Sequence, residues 1–203
     1  MSDKQTISAI IKFWFAEIGD GFDVYLQHKL WYGGGVETDE KITSKFGELV
    51  EKALAGELSH WANKTQGVMA LVLLIDQFTR NIYRGQATAF SGDEQAKEVV
   101  KNALKKGVDR KLTMVQRSFL YMPLEHSEQL IDQQLCVQLF TSLLAEAPVD
   151  GVEVIKSSLD HAVKHLNIIE LFGRFPHRNK VLGRSSTRQE IDYLNDGGAR
   201  FGQ

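Results

Sequence analysis

The sequence predicts an all-α protein, and three observations carry that expectation. Apolar residues recur at helical spacing along most of the chain, no stretch alternates apolar and polar residues over several positions, and only 3 prolines interrupt 203 residues. About eight helices joined by short connections make a single helical domain over residues 1–203, either an antiparallel bundle or a solenoid of helical hairpins. The tetratricopeptide period of about 34 residues, with its Trp-Leu-Gly-Tyr pattern, is not repeated.

Taken in order, Ile7, Ile10, Ile11, Trp14 and Phe15 share one stripe and predict an N-terminal helix, which Gly19 and Gly21 end. The segment through Trp31, Tyr32 and Gly33-Gly34-Gly35 reads as a packed loop, too aromatic for a free linker and too rich in glycine for a helix. Thr38 is placed to cap the next helix, whose first turn carries Asp39 and Glu40 at the positive end of the dipole. Its apolar side is Ile42, Phe46, Leu49, Val50 and Leu54, and Gly56 closes it. From Thr65 towards Tyr83 the chain is apolar almost all round in its first half, which puts that helix in the middle of the fold.

Asp93 to Lys106 is an amphipathic surface helix ending in Lys105-Lys106-Gly107, cations and a glycine where the dipole favours them. A helix from Thr113 stops at Tyr121, because the residue before Pro123 is driven out of the helical region. Ser127 caps a helix through Leu130, Leu135, Val137, Leu139 and Leu144. Val152 to Phe172 is ended by Gly173, and the capping box Thr187-Arg188-Gln189-Glu190 opens a last short helix that Gly197-Gly198 ends.

Hydrophobic residues make up 43%, charged residues 25%, and the formal net charge is -2. A chain with this balance buries a core of its own, and near-neutrality removes the basic footprint that binding to nucleic acid needs. A single cysteine, Cys136, excludes an internal disulfide and a cysteine-based zinc site, and its apolar helical surroundings predict an inert buried thiol in a reducing cytoplasm. The first residues lack the pattern of a signal peptide, and no apolar run approaches the ~20 residues of a membrane helix.

Four stretches could carry chemistry. In Leu74 to Gly85 polar residues follow the most apolar helix abruptly, with Asp76 and Arg80 four apart and Gln77 and Asn81 four apart on adjoining rows. Such groups either tie the helix to its neighbours or face a ligand. In Tyr121 to Glu128, capping explains Ser127 and the helix dipole explains Glu128, whereas His126 beside carboxylates is a candidate acid or base. His161 and His165 are four apart on one helix face, a spacing able to hold a metal, yet no third ligand stands at a diagnostic distance and no metal is assigned.

The fourth stretch, Leu171 to Arg184, interleaves Arg174, His177, Arg178, Asn179 and Arg184 with glycine, proline and aromatic residues just before a capped helix. Guanidinium forks beside a helix N-terminus suit phosphate or carboxylate, unless they bind the protein's own carboxylates, for which Asp76 and Glu128 are candidates. Glycine-rich phosphate loops and nucleophile elbows are absent, so no cofactor is assigned.

Asp-Gln-Phe-x-Arg-Asn (Asp76 to Asn81), His-Ser-Glu (His126 to Glu128) and Gly-Arg-Phe-Pro-His-Arg-Asn with Leu-Gly-Arg-x-Ser-Thr (Gly173 to Thr187) together resemble a largely bacterial family called domain of unknown function 924. The resemblance extends to Phe13-Trp14-Phe15, the Gly56 to Trp61 segment, Ala89-Phe90, Gly197-Gly198 and Phe201. It implies an all-α, tetratricopeptide-like superhelix of helical hairpins and no established activity. The positions matching the family's polar motifs are Asp76, Gln77, Arg80, Asn81, His126, Glu128, His165, Arg174, His177, Arg178, Asn179 and Arg184. Thr79 stands where proline is usual, and His161 where an aromatic or aliphatic residue is usual.

The leading expectation is one pocket for a small anionic molecule, with hydrolase or transferase chemistry. Arg174, Arg178 and Arg184 hold the anion, His126 or His177 moves a proton, and Asp76 or Glu128 orients the imidazole, with Gln77, Arg80, Asn81, His165 and Asn179 also lining the ligand. The alternative is a module binding a peptide or protein on a concave superhelical face, in which the polar motifs are internal struts.

Overall fold

The computed structural model describes residues 2–16, 22, 24–33 and 35–201, and among them there are helices and turns but no strand. The helices are α1 (Asp3–Phe15), α2 (Tyr25–Tyr32), α3 (Val36–Leu54), α4 (Thr65–Val72), α5 (Thr79–Ile82), α6 (Asp93–Lys105), α7 (Met114–Glu125), α8 (Leu130–Glu146), α9 (Val152–Phe172) and α10 (Arg188–Asn195). Between α4 and α5 the rod continues without a break through a π-helical stretch, Leu73–Phe78.

The all-round apolar character of α4 puts it at the centre, where every residue from Gly67 to Val72 is buried. Against this rod pack α1, α3, α6 and α7. An aromatic layer closes the core at its end: the Phe78 ring stacks on Phe46 at 5.1 Å and meets Trp14 at 5.3 Å. Pairing of α8 with α9 builds the far side, and a second apolar cluster around Ile168, Ile169 and Phe175 fastens the end of α9 to α10 through Phe172 and Tyr193.

Two glycines set geometry that matters for the site. Gly173 takes the left-handed conformation, φ +69°, and returns its N–H to the Ile169 carbonyl at 2.8 Å, so the basic stretch leaves α9 at a sharp angle. Gly92 lies so close to the central rod that a β-carbon there would stand 2.1 Å from the Ile75 carbonyl oxygen. Only a residue without a side chain lets the start of α6 rest against the π-helical stretch.

Four expectations need correction. The Trp31-Tyr32 segment is helical as α2, because residues 25–32 contain no breaker and Trp31 anchors itself by donating to the Trp14 carbonyl at 2.8 Å. Helix α3 starts before Thr38, with Gly35 as its cap, which leaves Asp39 inside the first turn. Helix α7 runs through Pro123 to Glu125, since proline removes a single N–H in the last turn while His126 N–H still reaches the Met122 carbonyl at 2.8 Å. Ser127 acts three residues before the start of α8, accepting from Gln129 N–H at 3.1 Å and donating to Asp132 at 2.8 Å, and Gln129 is the cap.

Helix α6, expected at the surface, turns Lys97 inward, 3% exposed, where its ammonium meets Glu94 at 2.7 Å and Asp132 at 3.6 Å. Cys136 is buried and free, as its surroundings predict. Gly19, Gly21 and Gly34 lie outside the described residues. Among the described residues no helix is long and apolar enough to cross a membrane.

Candidate functional site

The π-helical stretch carries the centre of the site. A π turn holds more residues than an α turn, is rare, and is found often at functional positions. Here it sends Asp76 into the interior, 0% exposed, while Arg80 comes back over it with a nitrogen 3.1 Å from the carboxylate and a hydrogen bond to the Asp76 carbonyl at 2.7 Å. The same widening separates the two polar rows that an unbroken α-helix would align. Gln77 stays inside, donating to Asp76 and contacting Met122 Sδ at 3.3 Å, whereas Asn81 leaves the cluster and donates to Asp39 at 2.8 Å beside Arg84.

Because α7 continues past Pro123, Glu125 and His126 reach the centre. His126 Nδ1 lies 2.8 Å from Asp76 Oδ1, and the His126 side chain is 15% exposed. Burial pushes the Asp76 carboxyl up, but Arg80 and His126 outweigh it and hold Asp76 below the ordinary carboxylate range. Burial and Arg80 together outweigh Asp76 at the imidazole and push His126 below its ordinary value. An ionised Asp76 can only accept, so Nδ1 of a neutral His126 carries the proton and Nε2 carries the lone pair. Among the described residues no hydrogen bond engages that Nε2.

Beside this pair lies one that sequence reasoning missed. Glu125 is 5% exposed, and burial, with Asp76 adding to it, pushes its carboxyl up to about 8. Its oxygen is 3.2 Å from His165 Nδ1, which also donates to the His161 carbonyl at 2.8 Å. Burial pushes His165 down to about 2, so Glu125 and His165 face each other as neutral groups near pH 7. The environments thus drive two nearby carboxylic groups apart, Asp76 ionised and Glu125 protonated, a pattern that separates acid from base in catalytic sites.

The stretch from Gly173 supplies the third wall. Arg178, 6% exposed, lies between the rings of Phe90 and Phe175, with Cζ 4.7 Å and 4.4 Å from their centres. One nitrogen donates to the His126 carbonyl at 3.0 Å and stands 3.4 Å from Asp93, which Arg80 also contacts at 2.9 Å. Arg178 Nε is buried with no hydrogen-bond partner among the described residues. Desolvation and the neighbouring Arg80 push this guanidinium down to about 10, where it is still cationic at neutral pH. His177 Nδ1 is likewise buried and unpartnered, and burial, then Arg178, push its imidazole down to about 4.

The other two arginines do not join Arg178 around one anion, which corrects the three-armed clamp. Arg184 grips both oxygens of Glu128 at 2.6 and 2.9 Å and also donates to Asn179 at 3.0 Å. Arg174 grips both oxygens of Glu190 at 2.6 and 2.9 Å, and Asn179 donates to the same carboxylate at 3.2 Å. The reason is that Glu128 and Glu190 sit within reach and are the better-matched partners for a planar fork. Glu128 also accepts Phe175 N–H at 2.9 Å, so it orients the loop and no imidazole. Among the described residues no carboxylate stands at hydrogen-bond distance from His177, so of the two proposed proton carriers His126 alone is oriented by one.

His161 is exposed and turns its Nδ1 to the Ser157 carbonyl at 2.8 Å. Among the described residues no group of three or more His, Cys, Asp or Glu side chains could hold a metal ion. Glu125 stands beside His126 and Asp93 opens α6, and neither position carries a local sequence signal that sets it apart from an ordinary helix residue.

The family model described as "Bacterial protein of unknown function (DUF924)" matches residues 10–198. The chain is also similar to the solved structure of a protein of unknown function, ATU0120, from Agrobacterium tumefaciens, with 30% identity, a TM-score of 0.81, and coverage of 97% of this chain and 100% of that one. Nothing matches among curated proteins. With Asp76, His126 and the Gly173 to Thr187 stretch all inside the matched region, the chain belongs to the bacterial protein family of unknown function DUF924.

Proposed function

We propose that the site binds a small anionic molecule and performs general-base chemistry on it, in a hydrolytic or group-transfer reaction. The observation that carries this reading is the Asp76–His126 pair at 2.8 Å, with Nε2 unengaged and an incompletely partnered Arg178 against the His126 backbone. In that reading Arg178 holds the anionic group. Nε2 of His126 takes a proton from water or an acceptor hydroxyl as its oxygen bonds to the electrophilic carbon or phosphorus of the substrate, and the imidazolium returns the proton to the leaving group. Asp76 holds the tautomer and stabilises the transient cation, as the buried carboxylate of a catalytic triad does.

The test is hydrolysis of two anionic probes, mono-p-nitrophenyl succinate and p-nitrophenyl phosphate, by the wild type and by His126→Ala. Wild-type turnover of at least one probe is expected to exceed that of the variant by about 10²- to 10⁴-fold, the range for a positioned base. Equal rates for the two proteins sink the general-base reading.

A second reading has its own support in the internal pairing of Arg174 with Glu190 and Arg184 with Glu128. In it the polar motifs are struts of a tetratricopeptide-like module, and a peptide or protein partner binds elsewhere on a concave face. Equal rates in the assay above favour it.

A further inference from the structure

Resting on the anion-binding reading, we propose that the ligand carries a planar ring as well as its anionic group, and that the face of His165 now covered by Phe201 is the subsite for that ring. Phe201 lies on His165 with ring centres 3.6 Å apart and planes 18° from parallel, the closest ring pair among the described residues. It also borders His177 at 5.8 Å and Phe175 at 6.3 Å, and Phe175 is the ring on which Arg178 lies. The ring subsite and the unpartnered guanidinium nitrogen are therefore neighbours across one aromatic side chain.

Phe201 is placed as a removable cover. It is partly exposed while His165 beneath it is 4% exposed, and it belongs to no helix. Its backbone holds φ at +48°, in the left-handed region that a bulky side chain rarely occupies. Strain of this sort gathers at ligand clamps and switch segments. Near it the chain is fastened by Ala199 N–H to Tyr193 Oη at 3.0 Å and by Arg200 to the Leu194 carbonyl at 3.1 Å, contacts with α10 that swinging the Phe201 ring aside leaves intact. A flat ring entering from solvent would replace one stack by another and release the strained backbone, so an aromatic or heteroaromatic anion is the chemical class that fits.

Phenylacetate, cyclohexylacetate and acetate serve as probes, titrated into wild type, Phe201→Ala and Phe201→Leu while the imidazole C–H signals of His126 and His165 are followed by NMR. Phenylacetate is expected to bind Phe201→Ala about tenfold more tightly than wild type, a ratio equivalent to about 1.4 kcal/mol. Phe201→Leu should fall between them, and cyclohexylacetate should show no such gain. If Phe201→Ala does not fold, as judged by its thermal melt, the leucine variant alone carries the comparison. Unchanged phenylacetate affinity, or equal gains for the flat and the puckered ring, overturns the subsite. Acetate binding that Arg178→Met abolishes, without any gain for phenylacetate, sinks the ring subsite and leaves the anion site standing. No Arg178-dependent binding of any of the three probes removes both.

Discussion

Replacing Asp76 by alanine is expected to lower the free energy of unfolding by about 3–5 kcal/mol, the range for removing one partner of a buried ion pair. Asp76 is wholly buried and serves Arg80, His126 and Gln77 at once. Without it the Arg80 guanidinium, 11% exposed, keeps its bond to the backbone carbonyl at position 76 and, among the described residues, one carboxylate, Asp93, which it already shares with Arg178. Two guanidiniums would then face one carboxylate in a place water reaches poorly. For a chain of this length the loss corresponds to a fall of about 10 °C in Tm. Denaturant unfolding of Asp76→Ala beside wild type checks the figure, and a loss below about 1 kcal/mol would mean that Asp76 holds nothing in place.

The second large effect is a fall in stability on the alkaline side of neutrality, and it comes from Glu125. Its folded pKa, about 8, lies above the ordinary unfolded value, so the folded state keeps a proton that the unfolded state has already lost. Stability from such a group is complete below the unfolded pKa and is lost as pH rises towards 8. His165, pushed down to about 2, has the opposite sign, and its contribution is lost as pH falls below about 6.5. From the unfolded carboxylate value to about 6.5 the two slopes oppose each other. From pH 6.5 to 8 Glu125 acts alone, and stability should drop by about 2 kcal/mol, at about 1.4 kcal/mol per pH unit. Glu125→Gln, which is uncharged at every pH, should abolish that slope. A wild-type profile flat over the window, or a slope that persists in the variant, contradicts the protonated Glu125.

How much of this was legible in the sequence depended on whether the signal was local. Gly173 and the Thr187 to Glu190 capping box, which bracket the basic stretch, could be read directly because the backbone at each end requires those residue types. The central place of the Thr65 helix followed from its all-round apolar pattern. Pairing of the basic stretch with Glu128 was among the partners anticipated, since a guanidinium in an apolar setting needs a carboxylate. The π-helical stretch could not be read, because a π turn leaves no mark in apolar spacing and is held by tertiary contacts such as the approach of Gly92 to Ile75.

That one feature decided the site. It separated Asn81 from Gln77 and brought Asp76 under His126. Helix α7 mattered equally: a rule about the residue before proline ended it too early, and a buried helix with most of its N–H groups satisfied overrides that rule near its last turn. With the helix stopped at Tyr121, Glu125 looked like a loop residue and its burial could not be anticipated. Phe201 matched the family pattern, yet nothing local in its neighbours indicated that it lies on His165.

Near pH 7 His126 is a neutral imidazole whose Nε2 lone pair is available, with its Nδ1 proton held by Asp76. Nitrogen-detected NMR of the labelled imidazole reads this tautomer. At pH 7 a protonated Nδ1 in a strong hydrogen bond and an unprotonated Nε2 are expected, and in Asp76→Asn a loss of that fixed tautomer. An Nε2–H tautomer, or a His126 that is already an imidazolium at pH 7, would contradict it.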